Sequence, residues 1–395
     1  MFSPVAQRYD GPALEAEILE FWRTERVFER IIEAGADRPR YVFYEGPPTA
    51  NGRPGIHHVL ARTFKDLFPR YKTMRGYHCP RKAGWDTHGL PVEHEVEKEL
   101  GIFDKQRIEA EVGIETFVEK CRSSVMRYVS DWESMTQRMG FWVDFEDAYY
   151  TLHNDYIESV WNLLQQIWDK GLIYRGYKVV PYDPRIGATL SSHEVAQGYR
   201  EVEDPSIYVR FAVSGEADTY FLVWTTTPWT LPSNLLLAVA TDVQYAWVRH
   251  GDETLIVAEE LIGSVFGDAP VEVVHRAAGR ELIGMRYERL FDYLPVDGDI
   301  CRVAAGEFVT TEDGTGIVHI APAYGEDDLK LGLANGLEVV HGVGDDGYFV
   351  ADVTPVAGLF FKEADPVLVG ELRQRGALFR EEKYRHNYPF GWRTG

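Results

Sequence analysis

The sequence predicts an α/β protein in which a doubly wound, parallel nucleotide-binding half is interrupted by an inserted β-rich domain. Three observations predict it. A strand, a turn, a helix and a second strand follow one another between Tyr41 and Trp85, which is the length of one crossover unit. From about residue 200 the pattern changes to short β-type runs separated by turn residues. The chain has 395 residues, more than one ordinary domain needs.

The elements are justified in order. Leu14, Ile18, Phe21, Trp22, Phe28, Ile31 and Ile32 fall largely at helical steps, predicting a helix over 14–32 packed on the nucleotide-binding half. The apolar run Tyr41–Tyr44 reads as a buried strand. After a Pro/Gly/Asn-rich turn, Val59, Leu60, Phe64, Leu67 and Phe68 mark an amphipathic helix over 57–73. A second extended stretch, Tyr77–Trp85, ends at Asp86, and further helices are predicted at about 113–138 and 155–171. Then come β-type runs at Ser206–Val213, Tyr220–Thr226, Leu235–Ala240, Gln244–His250 and Thr254–Ala258. The domains expected are 1–199, an inserted 200–385, and a return strand over 386–395.

Composition excludes several classes. Apolar content of 45% and aromatic content of 13% exclude a disordered chain. No run approaches a membrane span, and Met1-Phe-Ser-Pro-Val lacks a signal pattern, so no membrane partner is expected. Cys79, Cys121 and Cys301 are far apart and odd in number, as reduced thiols of a cytoplasmic protein would be. A net charge of −21 argues against non-specific coating of nucleic acid. Arg62, Lys65, Arg70, Lys72, Arg75, Arg81 and Lys82 form either a local basic surface for a phosphate chain or a solvated helix face.

The segment Tyr44-Glu-Gly-Pro-Pro-Thr-Ala-Asn-Gly-Arg-Pro-Gly-Ile-His-His58 places a tight turn and two imidazoles at a helix start, where free N–H groups and the positive dipole end suit phosphate. With Gly84-Trp-Asp-Thr-His-Gly-Leu-Pro-Val-Glu93, it resembles the first half of a class I aminoacyl-tRNA synthetase active site, of the isoleucyl kind, and the likeness runs along essentially the whole chain. The resemblance implies a Rossmann-type half carrying an inserted editing domain. It also implies ATP as substrate with Mg2+, isoleucine and valine as small-molecule substrates, and the tRNA for isoleucine as partner. By the same resemblance His58 stabilises the phosphates, and Gly46 and Pro47 floor the amino-acid pocket; Gly55 and His57, which do not match the family motif, are expected to complete the ATP site, with His57 the second catalytic imidazole. Asp86, at the end of its strand, would hold the substrate ammonium; its plain alternative is a helix N-cap before Thr-His-Gly-Leu-Pro.

One departure is plain. The family signature is His-x-Gly-His, and this chain reads Gly55-Ile56-His57-His58. A small backbone shift that rebuilds charge stabilisation with the two imidazoles is the favoured reading; a dead site is the alternative. Nothing in these residues resembles the Lys-Met-Ser-Lys-Ser loop or an anticodon-binding domain. The expectation is an N-terminal part of a longer enzyme that does not activate isoleucine by itself.

Trp224-Thr-Thr-Thr-Pro-Trp-Thr-Leu-Pro-Ser-Asn234 and Gly314-Thr-Gly-Ile-Val-His-Ile-Ala-Pro-Ala-Tyr-Gly-Glu-Asp-Asp328 resemble the editing site of the isoleucyl, valyl and leucyl synthetases. An apolar pocket separates one methylene by only about 1–3 kcal/mol, a general limit for which isoleucine against valine in this family is itself the known case. The resemblance gives Asp328 the ammonium of the misattached amino acid, and gives Thr225, Thr226, Thr227 and Thr230 the shaping of the small pocket. Asn234 would support them, and His319 would lie near the ester and terminal ribose. The ordinary alternatives are a Thr-rich strand and an acidic first helical turn.

Two other signals carry no site. Gly342-Val-Gly-Asp-Asp-Gly347 fits a dinucleotide fingerprint but precedes Tyr348-Phe-Val, so it reads as a hairpin turn. His94 and His193 lack the second histidine of a zinc protease helix. A valyl-type enzyme and a tRNA deacylase or tRNA-binding module without ligase activity stay open as alternatives. Relatives often carry Cys-x-x-Cys pairs where this chain has Asp183-Pro-Arg-Ile186 and Gly391-Trp-Arg-Thr394. No zinc is therefore expected, and elemental analysis of the purified protein should find none in stoichiometric amount.

Overall fold

The computed structural model describes residues 8–102 and 105–391, and the chain divides into two bodies at Arg175/Gly176. Trp392–Thr394, part of the segment compared for zinc, and the end of the expected return strand lie outside the described residues.

The first body opens with α1 (Gly11–Thr24) and α2 (Val27–Ala34), not one helix over 14–32. The break falls at Arg26, whose φ of 50° places it in the left-handed region that a helix interior forbids. Asp10 caps α1 by accepting from the Ala13 N–H at 3.2 Å. Next come β1 (Phe43–Tyr44), α3 (Ile56–Met74) and β2 (Arg81–Trp85), then α4 (Leu90–Leu100), α5 (Lys105–Glu111), α6 (Ile114–Arg138), β3 (Asp144–Tyr150) and α7 (Asn154–Asp169).

The three strands lie in the order β1-β2-β3, all parallel. The expected buried strand 41–44 is a correction: β1 is a two-residue edge strand, with Val42 and Tyr44 exposed. An edge strand has a neighbour on one side only, so alternate side chains keep contact with water. Pairing nevertheless continues as isolated bridges, Arg40 with His78 and Thr49 with Asp86. The sequence periodicity missed α4, yet its start and stop signals are ordinary ones: Pro91 in the first turn, acidic Glu93, and Gly101 left-handed at the end.

Parallel strands send their carboxyl ends to one edge, so the residues after β1, β2 and β3 meet there. Gly84 shows how closely they are fitted. A Cβ on it would lie 2.2 Å from the Tyr149 ring, whose hydroxyl donates to the Glu45 carbonyl at 2.5 Å. Glycine lets the ring cross the sheet and hold the end of β1.

The second body contains β4 (Tyr182–Asp183), β5 (Ala188–Thr189), α8 (Ser192–Ala196), β6 (Tyr199–Ala212) and β7 (Thr219–Thr225), then a 3-10 turn over Pro228–Ser233. It continues with β8 (Leu236–Val239), β9 (Gln244–His250), β10 (Glu253–Ala258), α9 (Ile262–Phe266), β11 (Glu272–Ala278), α10 (Gly279–Leu282), β12 (Arg302–Ala305) and β13 (Ile317–Ile320). It ends in α11 (Glu326–Ala334), α12 (Phe361–Gln374) and β14 (Leu378–Pro389). One sheet runs β11-β9-β10-β7-β6-β14, with only β10 and β7 parallel; a second runs β12-β8-β13, and β4 and β5 form an antiparallel pair. Ile207, Val209, Phe211, Phe221, Val223, Val248 and Leu255 are fully buried, and this core fixes the register because a one-residue slip would turn it outward. Gly342–Gly347 is a turn closing on the antiparallel bridge of Val343 with Phe349.

Candidate functional sites in the two bodies

At the carboxyl edge of the first body, Gly46 and Pro47 follow β1 and are exposed. The Lys65 ammonium, on α3, donates to the Gly46 carbonyl at 2.9 Å and so fixes that turn. Asp86 is half-buried, and its Oδ2 accepts the Thr49 hydroxyl at 2.6 Å. It is not a helix cap, because α4 starts at Leu90 with Gly89 as its cap residue. Thr151, after β3, accepts the Thr87 N–H at 2.9 Å and lies 2.7 Å from His88 Nδ1, holding the loop that follows Asp86. Sequence reading missed Thr151, which carries no local signal.

Gly55 is the N-cap of α3, and its N–H donates to His58 Nδ1 at 2.9 Å. A ring nitrogen that accepts is deprotonated, so His58 is neutral and carries its proton on Nε2. Burial, then the charges of His57 and Arg62, push His58 below the ordinary imidazole range. His57 is exposed and its ring centroid lies 3.8 Å from that of His58, which in turn packs 4.5 Å from Trp132. A Cβ at position 55 would meet the His57 ring at 2.9 Å. Gly55 has φ −101° and ψ 177°, which any residue adopts, so a side chain there is opposed by the His57 ring, which would have to turn aside, and not by the backbone.

The basic-surface reading is corrected by burial for Arg62 and Arg81, while Arg75 is exposed. Arg62 and Arg81 are each 2% exposed. Arg62 lies among Trp85, Trp132 and Phe141 and shares the buried Glu45 carboxylate with Lys65, at 3.5 and 2.5 Å. Arg70 and Arg81 share Asp66, Lys82 pairs with Asp147, and Lys72 stacks on Tyr41 and Tyr77. Cations so engaged hold the fold and have little left for a phosphate chain.

In the second body the structure brings the two motif segments together. Thr225, Thr227 and Thr230 form a hydroxyl cluster, with 3.3 Å between Thr225 and Thr227 and again between Thr227 and Thr230. Thr226, between them, is half-buried and is not in that cluster's bonds. Thr230 Oγ1 lies 2.9 Å from His319 Nε2 on β13, and the Trp229 ring packs 4.7 Å from that of Tyr324. Thr230 already donates its one hydroxyl proton to the Thr227 carbonyl at 2.8 Å. His319 Nε2 must therefore carry the proton and donate to Thr230, leaving Nδ1 as a buried lone pair without a partner. The ring is enclosed behind Thr230, not open at the surface. Burial pushes its pKa down to about 4.

Asn234 is committed elsewhere. It accepts the Tyr287 hydroxyl at 2.7 Å and donates to the Leu236 carbonyl at 2.9 Å, so it anchors the end of the 3-10 turn. Asp328 lies in the first turn of α11, and the substrate ammonium given to it by the resemblance would call for a carboxylate open to a pocket. Its carboxylate is instead half-buried, with Oδ1 accepting the Ala321 N–H at 2.7 Å, and burial raises its pKa. Its Oδ2 lies against Gly325, where an added Cβ would come within 2.1 Å. Among the described residues, no three His, Cys, Asp or Glu side chains gather to hold a metal ion, and no helix is long and apolar enough to cross a membrane.

The family model described as tRNA synthetases class I (I, L, M and V) matches residues 17–353. The chain is 50% identical over 380 residues to an isoleucine–tRNA ligase of Clostridium acetobutylicum, covering 96% of this chain and 36% of that protein. It is 50% identical to that of Thermobifida fusca, covering 99% and 37%, and 49% identical to that of Thermus thermophilus, covering 100% and 38%. The chain thus spans under two-fifths of the length of these curated relatives.

The buried imidazole gives a pH prediction. Its folded pKa lies below the unfolded value of about 6.5, so the stability it contributes is present above that value and is lost as pH falls towards 4. The cost reaches roughly 3 kcal/mol at most. The His319 ring signals should stay those of a neutral imidazole down to pH 5 by NMR. His319→Asn should reduce the acid-side fall in Tm relative to wild type.

Proposed function

The chain belongs to the class I tRNA synthetases of the I, L, M and V group, and from that membership we propose that it is the N-terminal part of an isoleucine–tRNA ligase. In this reading the first body is the first half of a Rossmann-type synthetic site and residues 200–385 are an inserted domain that hydrolyses misattached valine. The complete enzyme uses ATP, entering with Mg2+ as substrate, to join isoleucine to its tRNA. Relatives of that activity at about 50% identity along the whole chain support the assignment over a valyl-type enzyme. Exposed apolar rows, Leu60, Phe64, Leu67 and Phe68 on α3 and Trp161, Leu164 and Trp168 on α7, support further polypeptide of the same enzyme covering the first body.

The synthetic chemistry asks for fixed donors around the α-phosphate and no nucleophilic side chain. His58 offers a neutral Nε2–H at the start of α3, beside that helix's free N–H groups. Asp86 offers its Oδ1 to an ammonium while Thr49 holds Oδ2, and Gly46 and Pro47 leave the strand end open for an amino acid. The observation that carries the editing reading is the contact of Thr230 with His319 at 2.9 Å, which joins two motifs 89 residues apart. Asp328 binds the substrate ammonium in this reading, and the threonine hydroxyls hold substrate or water.

Two experiments with the complete enzyme test these halves. Asp328→Asn keeps an acceptor for the Ala321 N–H and removes the charge. It should cut single-turnover hydrolysis of valyl-tRNA for isoleucine about tenfold or more with Tm held, whereas Asp328→Ala should also lose roughly 1–3 kcal/mol of stability. Unchanged hydrolysis in the Asn variant would leave Asp328 a structural cap. For the exchanged signature, the double variant Gly55→His/His57→Gly should preserve ATP–pyrophosphate exchange. Gly55→His alone must turn the His57 ring from its place beside His58 and should retain less. Exchange absent in the native form and present only in the double variant would show the native site to be dead.

A further inference from the structure

We propose that Asp365 is a positioning residue for the threonine cluster, capping the 3-10 turn from a distant helix so that the Thr227 hydroxyl is left to the site; this rests on the editing reading above. Thr227 occupies the N-cap position of the turn Pro228–Ser233. Threonine there ordinarily accepts an N–H from the turn's first residues, which have no partner inside it. Thr227 makes no such bond. Its hydroxyl lies instead 3.3 Å from both Thr225 and Thr230.

The vacant capping task is met across 136 residues of sequence. Asp365, on α12 and 3% exposed, accepts the Trp229 N–H on Oδ1 at 2.8 Å. Pro228 has no N–H, so Trp229 supplies the turn's first unpartnered donor. The Trp229 indole is held from the same side, its ring 4.8 Å from Phe361 of α12 and 4.7 Å from Tyr324. A cap supplied from α12 therefore sets the pitch of the residue before Thr230, and frees one hydroxyl of the cluster.

The groups around the carboxylate bear on its charge. Burial first pushes Asp365 up to about 7, Lys362 on the same helix opposes that rise, and Asp204 on β6 adds to it. Lys362 is itself bound to Asp204 at 2.6 Å, His386 of β14 shares that carboxylate at 3.0 Å, and the Tyr388 hydroxyl lies within the field of both acids. Protonated or ionised, Asp365 Oδ1 can accept from Trp229, with the bond stronger in the ionised form.

The test uses the complete enzyme of which this chain is a part, with preformed valyl-tRNA for isoleucine and protein concentration raised to saturation. Asp365→Ala should lower the single-turnover rate about tenfold with the half-saturating concentration unchanged, because the Thr227 hydroxyl turns back to cap the Trp229 region. Asp365→Asn, which keeps an acceptor, should restore most of the rate, and the ratio of wild-type to Asn rates should change around pH 7. In a Thr227→Ala background, Asp365→Ala should cost no further rate. In parallel, 15N-tryptophan NMR should show the Trp229 amide proton titrating near neutrality in wild type, fixed in the Asn variant and displaced upfield in the Ala variant. Equal rate losses from Asp365→Ala with and without Thr227, or a Trp229 amide unmoved by Asp365→Ala, would overturn the proposal. If wild type itself hydrolyses nothing, the editing reading falls, and the amide measurements alone decide whether Asp365 sets the turn.

Discussion

The single hydroxyl proton of Thr230 is the constraint on which the second body's candidate site depends. It goes to the Thr227 carbonyl and closes the 3-10 turn, so Thr230 can only accept from His319. That one direction settles which ring nitrogen carries the proton and couples β13 to the segment after β7, while burial keeps the imidazole neutral. It also explains why a histidine with an unpartnered Nδ1 is tolerated: an unmatched lone pair costs less than an unmatched charge. Asn234 and Tyr287 secure the far end of the same turn.

In the first body a buried carboxylate has the corresponding role. Glu45 is 2% exposed and draws Arg62 and Lys65 of α3 onto the end of β1, while its carbonyl takes the Tyr149 hydroxyl. A buried charge without partners would be prohibitive, so α3, which supplies both cations, is held against the end of β1, and Tyr149 of β3 holds the same residue by its carbonyl. The turn that carries Gly46 and Pro47, and the helix start that carries His58, are fixed as a consequence.

Much of this was legible in the sequence because it is local. The helix over 57–73 is observed as Ile56–Met74, the strand 244–250 as Gln244–His250, and the parallel pairing of the first two strands follows from their crossover spacing. The break at Arg26 and the exposure of Tyr44 were not legible, since apolar periodicity reports which side chains avoid water on average and not which neighbour covers them. Arg62 and Arg81 read as surface for the same reason: a charge in a sequence gives no sign of the carboxylate that will bury it.

By itself the sequence determined the two motif sets, the family they resemble, and the change from helical to β periodicity near residue 200, because each resides in residue types at short spacing. Only the tertiary structure decided that Asp328 turns back onto the Ala321 N–H, that His319 is closed behind Thr230, and that Asp365 takes the cap which Thr227 leaves unfilled. Asp365 stands in Phe-Lys-Glu-Ala-Asp-Pro, past the first turn of α12, where no short-spacing pattern marks it as the cap of another element. Its partner lies 136 residues away, and a hydrogen bond over that separation exists only once the core has brought the Trp229 N–H to 2.8 Å from the Asp365 carboxylate.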